Sequence, residues 1–326
     1  MNNNFTFAFT GPKSSGKTVY HTFLSSGYCG MPLLIHNCLR LKDPRFDVQK
    51  GNDDFVRSGD LLFLKKFPET VHIDKAKAMI TFDNRKQSTL QADFHDFPGE
   101  LFVRNNNQEN REKLRDFKYI LFFLPYWFVL PQKYLNQQAQ EHYNLTRPSF
   151  LSWIEAFNAI FLPGSDGLNS NERKSHELII TLTMFGHHWA SDWFEKTKFI
   201  TDSEQEVFFA MESINNCISD LEVLENRITK WPWVDMTKYL SHMAQLQNAI
   251  HRYIEIAGHI SKGSNNVAAS LLKLSGKYLR KTYSAINVVD NCLINRNGQD
   301  YFLLGENGEE ARLAHLPLMY LLHCFK

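Results

Sequence analysis

Residues 11–18, with the sequence GPKSSGKT, are the part of the chain whose residue types and spacing most directly imply chemistry. They fit the pattern G-x-x-x-x-G-K-[ST] of a phosphate-binding loop, in which glycines let the backbone turn so that its N–H groups converge on phosphate oxygens. Lys17 offers a positive charge to the β- and γ-phosphates, and the Thr18 hydroxyl is a ligand for Mg²⁺. The residues predicted to bind nucleotide here are Gly11, Lys13, Ser14, Ser15, Gly16, Lys17 and Thr18.

The neighbours of this loop supply the strand and the helix between which a phosphate-binding loop must lie. Phe5, Phe7 and Phe9 alternate with other residues, which predicts a β-strand directly before the loop. Residues 19–24 can continue as a helix after it. This context favours the phosphate-binding interpretation over a chance match of the pattern.

A second candidate motif follows residues 88–96, which are predicted to form a strand. The sequence DFPGE at residues 96–100 places the carboxylate of Asp96 at the strand tip, where a magnesium site needs an acid. Residues 71–82 are also extended in pattern, and residues 83–87 suit a hairpin loop, which predicts an antiparallel strand pair. Asp-x-x-Gly alone is often a plain turn, so its place after this strand pair supports the functional interpretation.

This order of motifs resembles the TRAFAC class of P-loop GTPases over most of the chain. The segments that carry the resemblance are residues 11–18, residues 96–100 and the Pro-x-Thr at residues 68–70. The Pro-Gly-Glu that closes the second motif is similar to the YcjX-like bacterial group and to related GTPases of bacterial conflict systems. The resemblance implies Mg²⁺-dependent binding and slow hydrolysis of a nucleoside triphosphate, with GTP expected.

The resemblance also implies roles for individual residues. Asp96 would hold the metal through water, and Thr70 would complete the Mg²⁺ shell with Thr18. The Gly99 N–H would meet the γ-phosphate, and Glu100 stands where many GTPases carry a water-orienting Gln. Each of two residues has an alternative role. Thr70 could simply belong to the start of a strand marked by Pro68, and Glu100 could simply point into solvent. The expected catalytic residues are Lys17, Thr70 and Glu100, and the expected metal ligands are Thr18, Thr70 and Asp96.

Recognition of the base is the point at which the chain departs from the GTPases it resembles. Residues 119–124 and 178–183 are apolar runs typical of buried parallel strands. In those GTPases the second of these strands ends in Asn-Lys-x-Asp, whose Asp pairs with guanine, and this motif is absent. We therefore expect a reduced preference for GTP over ATP. Thr183 is expected to contact the nucleotide, together with Ser284 and Ala285, a pair that resembles the fifth GTPase motif.

Helical periodicity dominates the rest of the chain. Residues 132–161 are predicted to be largely helical, with a break at Pro148. Apolar residues at three- and four-residue steps predict an antiparallel helical hairpin within residues 201–260. The remaining predicted elements are a third helix over 267–278, a last strand over 283–289 and a final helix over 310–324.

Together these elements predict an α/β fold: a P-loop GTPase-like Rossmannoid sheet with an antiparallel edge strand and an all-α helical insertion. Residues 1–190 form the first part of the GTPase-like domain, residues 191–280 the helical insertion, and residues 281–326 the last strand and helix of the same domain.

The composition excludes several function classes. The formal net charge of +1 argues against an electrostatic footprint for nucleic acid. Five cysteines in no C-x-x-C pair indicate a reducing compartment and free thiols. Met1 is not followed by the basic and apolar segments of a secretory signal. The apolar run at residues 119–130 is far short of the roughly 20 residues that a spanning helix needs. We expect a cytoplasmic protein without a membrane span.

The resulting hypothesis is a nucleotide switch that engages a protein effector, or a second copy of the chain, through its helical insertion. Trp231 and Trp233, at the predicted turn of the hairpin, are the candidate contact residues. Both indoles folding back onto the sheet domain is the alternative for that tip. Two other functions stay open, an ATP-using P-loop enzyme such as an ATPase or kinase, and a non-hydrolysing scaffold that keeps nucleotide for structure.

Overall fold

The computed structural model describes residues 4–20, 40–42, 55–58, 61–65, 73–81, 89–104, 108–161, 175–184, 202–228, 236–261, 266–275, 279–286, 293–296, 298–306, 316–317 and 320. Its strands are β1 (Asn4–Thr10), β2 (Arg40–Lys42), β3 (Phe55–Ser58), β4 (Leu61–Lys65), β5 (Asp74–Thr81), β6 (Thr89–Asp96), β7 (Tyr119–Pro125), β8 (His176–Thr183), β9 (Leu279–Ala285), β10 (Leu293–Arg296) and β11 (Gln299–Glu306). Its helices are α1 (Leu101–Arg104), α2 (Gln108–Arg115), α3 (Gln137–Phe161), α4 (Asp202–Ile228), α5 (Met236–Ile260) and α6 (Val267–Lys273).

The main sheet is built around β1, the strand that delivers the predicted phosphate-binding loop. Its strand order is β2-β5-β6-β1-β7-β8-β9, and the five strands from β6 to β9 in this order run parallel. β5 pairs antiparallel with β6, and β2 pairs antiparallel with β5. β5, which corresponds to the antiparallel strand predicted at the sheet edge, is therefore not the edge strand, because β2 pairs with its other side. This mixed α/β sheet is compatible with a P-loop fold.

The centre of the sheet is held by aromatic residues that share one face of its strands. Phe7 stacks on Phe94 of β6 at 5.1 Å and on Tyr119 of β7 at 5.3 Å between ring centroids. Phe9 packs edge-on against Phe123 of β7, and every residue of β7 is buried. Such rings contribute large apolar areas, so β1 is fixed between its two neighbours and the loop at its end starts from a rigid strand.

Helix α3 is continuous through Pro148, so the predicted break at that residue is wrong. Proline removes one backbone hydrogen bond from the helix, but the apolar face on either side is packed tightly enough to compensate. Phe157 contacts Phe122 of β7 edge-on at 5.1 Å. The helix begins at Gln137 rather than near residue 132, because the Asn136 side chain accepts the Ala139 N–H at 2.9 Å and caps its first turn.

The predicted helical hairpin is confirmed as α4 and α5. α5 packs against α4 and also against β9 of the main sheet. The Tyr253 hydroxyl on α5 donates to the Tyr126 carbonyl just beyond β7 at 3.0 Å. α6 ends at Lys273, five residues before the predicted end of the third helix. β9 covers residues 279–285 instead of the predicted 283–289, which places Ser284 and Ala285 at its carboxyl end.

A second sheet, with strand order β10-β11-β4-β3, was not predicted. All its pairs are antiparallel, and β11 joins β4 across more than 200 residues of sequence. The signal that could have predicted β10 and β11 is the dipeptide Asn297-Gly298, which favours a two-residue hairpin turn. Gly298 has the positive φ, 81°, that such a turn requires.

Of the predicted final helix, residues 316–317 and 320 are described, and they are helical. The Tyr320 hydroxyl donates to the Met243 carbonyl on α5 at 2.7 Å, which ties this segment to the helical hairpin. Within the described part of the chain, no helix combines the length and the apolar character needed to cross a membrane.

Candidate nucleotide-binding site

The loop at residues 11–18 has the backbone conformation that its glycines predict. Gly11 has a φ of 140° and Gly16 a φ of 88°, in the region that residues with side chains rarely adopt. Close packing also requires glycine at position 11, since a Cβ there would lie 2.4 Å from the Phe123 carbonyl oxygen. Ser14 has a φ of 58°, and the helix begins at Lys17. The loop N–H groups therefore precede a helix N-terminus, which favours an anion.

Lys17 is directed back over the loop rather than into solvent. Its side chain is only 5% exposed, and Nζ donates to the Pro12 carbonyl at 3.2 Å. Burial lowers the pKa of the Lys17 ammonium, and the nearby Asp96 carboxylate opposes this effect. A buried ammonium beside a phosphate-binding loop gains charge neutralisation when a phosphate enters, so the position suits the predicted role.

Thr18 and Asp96, the two predicted magnesium ligands that the structure describes, are in direct contact. The Thr18 hydroxyl donates to Asp96 Oδ2 at 2.8 Å, and Asp96 is fully buried at the end of β6. Both are hard oxygen donors, and Mg²⁺ is commonly held by one or two protein oxygens together with phosphates and water. These residues therefore fit Mg²⁺. Within the described ranges no cluster of three or more His, Cys, Asp or Glu side chains could hold a metal, and Thr70 lies outside those ranges.

The loop after Asp96 lies directly against the phosphate-binding loop. A Cβ on Gly99 would lie 2.5 Å from the Lys13 nitrogen and 2.6 Å from its Cα, so no side chain fits there. The Phe97 N–H donates to the Phe9 carbonyl at 2.9 Å, which extends the pairing of β1 and β6 into this loop. Glu100 Oε1 lies 3.9 Å from Lys13 Nζ, so this carboxylate faces the loop rather than solvent alone.

Helix α3 holds both loops through side chains that the sequence analysis missed. The Ser149 hydroxyl accepts the Lys13 N–H at 3.3 Å and donates to the Gly99 carbonyl. Trp153 Nε1 donates to the same carbonyl at 2.9 Å. The sequence signal that could have identified Ser149 and Trp153 is their spacing, since residues four positions apart share one face of a helix.

His142 extends this contact to the middle of the phosphate-binding loop. It forms a hydrogen bond with the backbone of Ser14, the loop residue with a positive φ. Burial lowers the pKa of His142 to about 4, and the hydrogen bond to Ser14 opposes that shift. The imidazole is thus neutral at physiological pH, and it adds no charge to the phosphate site.

The residues predicted to contact the base are placed at the carboxyl ends of β8 and β9. The Thr183 hydroxyl donates to the Ser15 carbonyl at 3.0 Å, so Thr183 supports the phosphate-binding loop from below. Ser284 and Ala285 are fully buried and pair in register with Thr181 and Leu182 of β8. Their predicted contact with a base stays a prediction.

The structure thus brings most of the predicted site residues into one place. Those that converge at the carboxyl end of β1 are Gly11, Lys13, Ser14, Ser15, Gly16, Lys17, Thr18, Asp96, Gly99 and Glu100. Thr183 joins them from β8, whereas Thr70 lies outside the described residues.

Comparison with known proteins adds little to this geometry. Neither the protein-family models nor the curated proteins include a match to this sequence. Among solved structures, the mammalian SRP receptor aligns over 97% of both chains, with 10% sequence identity and a TM-score of 0.35. A TM-score of this size does not establish a shared fold, so the interpretation of the site depends on the contacts of this chain.

Proposed function

We propose that this protein binds a nucleoside triphosphate together with Mg²⁺ and hydrolyses it slowly, so that the bound nucleotide acts as a switch. The observation that best supports this function is the meeting of Thr18 with Asp96 beside the buried Lys17. A phosphate-binding loop, a cation and two hard oxygen donors in one place are what phosphoryl transfer requires, because its catalysis is mainly positioning and electrostatic stabilisation.

The individual roles follow from where each group lies. The loop N–H groups and Lys17 would hold the β- and γ-phosphates, and Thr18 and Asp96 would hold Mg²⁺, which neutralises charge that develops on the phosphates. Gly99 would place its N–H at the γ-phosphate. Glu100 would orient the attacking water, and the Lys13 ammonium 3.9 Å away would offset the unfavourable charge of that carboxylate.

GTP is the proposed nucleotide, on the strength of the resemblance to TRAFAC GTPases, with the YcjX-like group as the proposed relatives. The absence of Asn-Lys-x-Asp predicts a smaller margin over ATP than in GTPases with that motif, because a buried carboxylate paired to guanine is worth a few kcal/mol. The proposed partner is a protein effector, or a second copy of the chain, that reads the nucleotide state through α4 and α5. Trp231 and Trp233, the candidate contact residues, lie outside the described residues.

The experiment that tests this function identifies the nucleotide released when purified protein is denatured, and then measures turnover of GTP and ATP with Mg²⁺. Lys17→Ala should lose triphosphate binding in calorimetry while the fold survives, because the loop loses its buried cation. Lys113→Ala is the matched control, since Lys113 pairs with Glu109 on the surface of α2 and its change should leave binding intact. Unchanged triphosphate affinity in Lys17→Ala would contradict the proposal. Tighter binding of ATP than of GTP would favour an ATP-using enzyme, and binding without turnover a scaffold.

A further inference from the structure

Three side chains on one face of α3 contact the two loops that would surround a γ-phosphate. These side chains, His142, Ser149 and Trp153, are called the α3 contact row below. His142 and Ser149 contact the phosphate-binding loop at Ser14 and Lys13. Ser149 and Trp153 contact the Asp-x-x-Gly loop at the Gly99 carbonyl. The row follows helical spacing, so a single rigid element reaches both loops.

The Ser149 hydroxyl links the two loops, because its one oxygen atom forms a hydrogen bond with each of them. It accepts the Lys13 N–H and donates its own proton to the Gly99 carbonyl. A hydroxyl has one proton to donate, so these two bonds fix its rotor and are made together. The second donor to the same carbonyl, Trp153 Nε1, is fully buried and edge-on to Phe102 of α1 at 4.8 Å. The carbonyl is thereby held on the α3 side of the loop.

We infer that Ser149 and Trp153 are positioning residues that set the place of Gly99 for recognition of a γ-phosphate. This inference rests on the proposed function. The orientation of the Gly99 carbonyl is fixed by two donors from α3, and the approach of Gly99 to Lys13 is fixed by the same hydroxyl. Positioning of this kind increases affinity because the loop does not have to be ordered when the ligand arrives.

The effect of the two bonds to the Gly99 carbonyl is specific to the triphosphate. The N–H groups of the phosphate-binding loop contact phosphates that a diphosphate and a triphosphate share, whereas Gly99 is assigned to the γ-phosphate alone. Loss of the bonds to Gly99 therefore lowers triphosphate affinity and leaves diphosphate affinity nearly unchanged. A side chain that only stabilises the fold would instead lower both affinities together.

The test measures two dissociation constants with Mg²⁺ for each variant, one for the β,γ-imido triphosphate and one for the diphosphate, in both the guanine and the adenine series. Ser149→Ala removes the hydrogen bonds of this hydroxyl to the Lys13 N–H and to the Gly99 carbonyl. Trp153→Phe removes the second donor and keeps a ring in the core. Thr146→Ala is the matched control, because Thr146 is a buried hydroxyl on the same helix. Among the described residues it bonds to carbonyls of its own helix, at His142 and Tyr143.

A hydrogen bond is worth about 0.5–1.5 kcal/mol, so Ser149→Ala and Trp153→Phe should each weaken triphosphate binding about 3- to 10-fold relative to diphosphate binding. Thr146→Ala should leave that ratio unchanged. Equal weakening of both nucleotides in Ser149→Ala and Trp153→Phe, or the same change of ratio in Thr146→Ala, would overturn the positioning role and leave the proposed function standing. Wild-type protein that binds none of the four nucleotides would overturn the proposed function itself, and the inference with it.

Discussion

Replacing Gly99 by alanine should separate the two loops of the site. The added Cβ would lie 2.5 Å from the Lys13 nitrogen, 2.6 Å from the Lys13 Cα and 2.9 Å from the Pro12 carbonyl carbon. All three are backbone atoms, so no flexible side chain can move aside. Gly99 is not among the described residues with a positive φ, so the substitution adds a steric conflict without adding backbone strain.

The size of the effect follows from the shift that the new methyl group demands. Ordinary contact begins near 3.4 Å, so Gly99 and Lys13 must move apart by about 0.9 Å. A shift of that size breaks the bond that the Gly99 carbonyl accepts from Trp153 at 2.9 Å, together with its bond from Ser149. Loss of two hydrogen bonds, at about 0.5–1.5 kcal/mol each, predicts a destabilisation of about 1–3 kcal/mol, and overpacking of a close-packed site gives the same range.

Urea unfolding and nucleotide binding together test this prediction. The unfolding midpoint of Gly99→Ala should fall without a change of slope, and binding of a triphosphate analogue with Mg²⁺ should fall more than binding of the diphosphate. Gly258→Ala is the control, since a Cβ there, in the last turn of α5, meets the side-chain tip of Leu272 at 3.3 Å. That change should shift stability by no more than about 1 kcal/mol and leave binding unaltered. A Gly99→Ala protein with wild-type stability and affinity would refute the contact between the loops.

Two further predictions concern the charges of the site. Asp96→Asn should weaken Mg²⁺-dependent triphosphate binding by tenfold or more and metal-free diphosphate binding much less. The reason is that Asp96 acts on the cation, whereas the loop N–H groups act on the phosphates. Equal losses in the two titrations would mean that Asp96 is a structural residue only. The pKa of His142 is about 4 in the folded protein against an ordinary 6.5, so folding favours the neutral ring. The contribution of this neutral ring to the free energy of unfolding is complete above pH 6.5 and is lost as the pH falls towards 4. Wild-type protein should therefore lose about 2 kcal/mol more stability than His142→Gln between pH 7.5 and pH 5 in urea unfolding, and parallel pH profiles would show that His142 is not buried as described.

The conformation of the loop at residues 11–18 could be predicted because its information is local. Residues 11–18 are contiguous, and the conformations of Gly11 and Gly16 follow from the residue type itself. The strands on either side of the loop were predictable for a similar reason. The apolar run in β7 records burial on both faces of that strand, and burial sets this pattern whatever the partner. Alternation in β1 records that its aromatic rings share one face, although Phe7 to Thr10 are all buried. The meeting of Thr18 with Asp96 then follows from two strand ends at one edge of the sheet.

Elements whose stability comes from distant contacts could not be predicted in this way. The break expected at Pro148 follows the local propensity of proline, and packing of α3 against β7 overrides it. The second sheet joins β4 to β11, and a strand's sequence does not say which distant strand it pairs with. No element was predicted between the last strand and the final helix, and β10 and β11 lie there for the same reason.

The sequence by itself determined where the loop of residues 11–18 lies and which conformation its glycines adopt, since a contiguous backbone segment carries both. Only the tertiary structure decided what holds that loop. Ser149 meets Lys13 across 136 residues and Gly99 across 50, and Trp153 meets Gly99 across 54. Helical spacing shows that Ser149 and Trp153 share a face, but the direction of that face depends on how α3 packs on the sheet. The partners of a helix face are set by the packing of the whole core, and residue spacing along the chain does not record them.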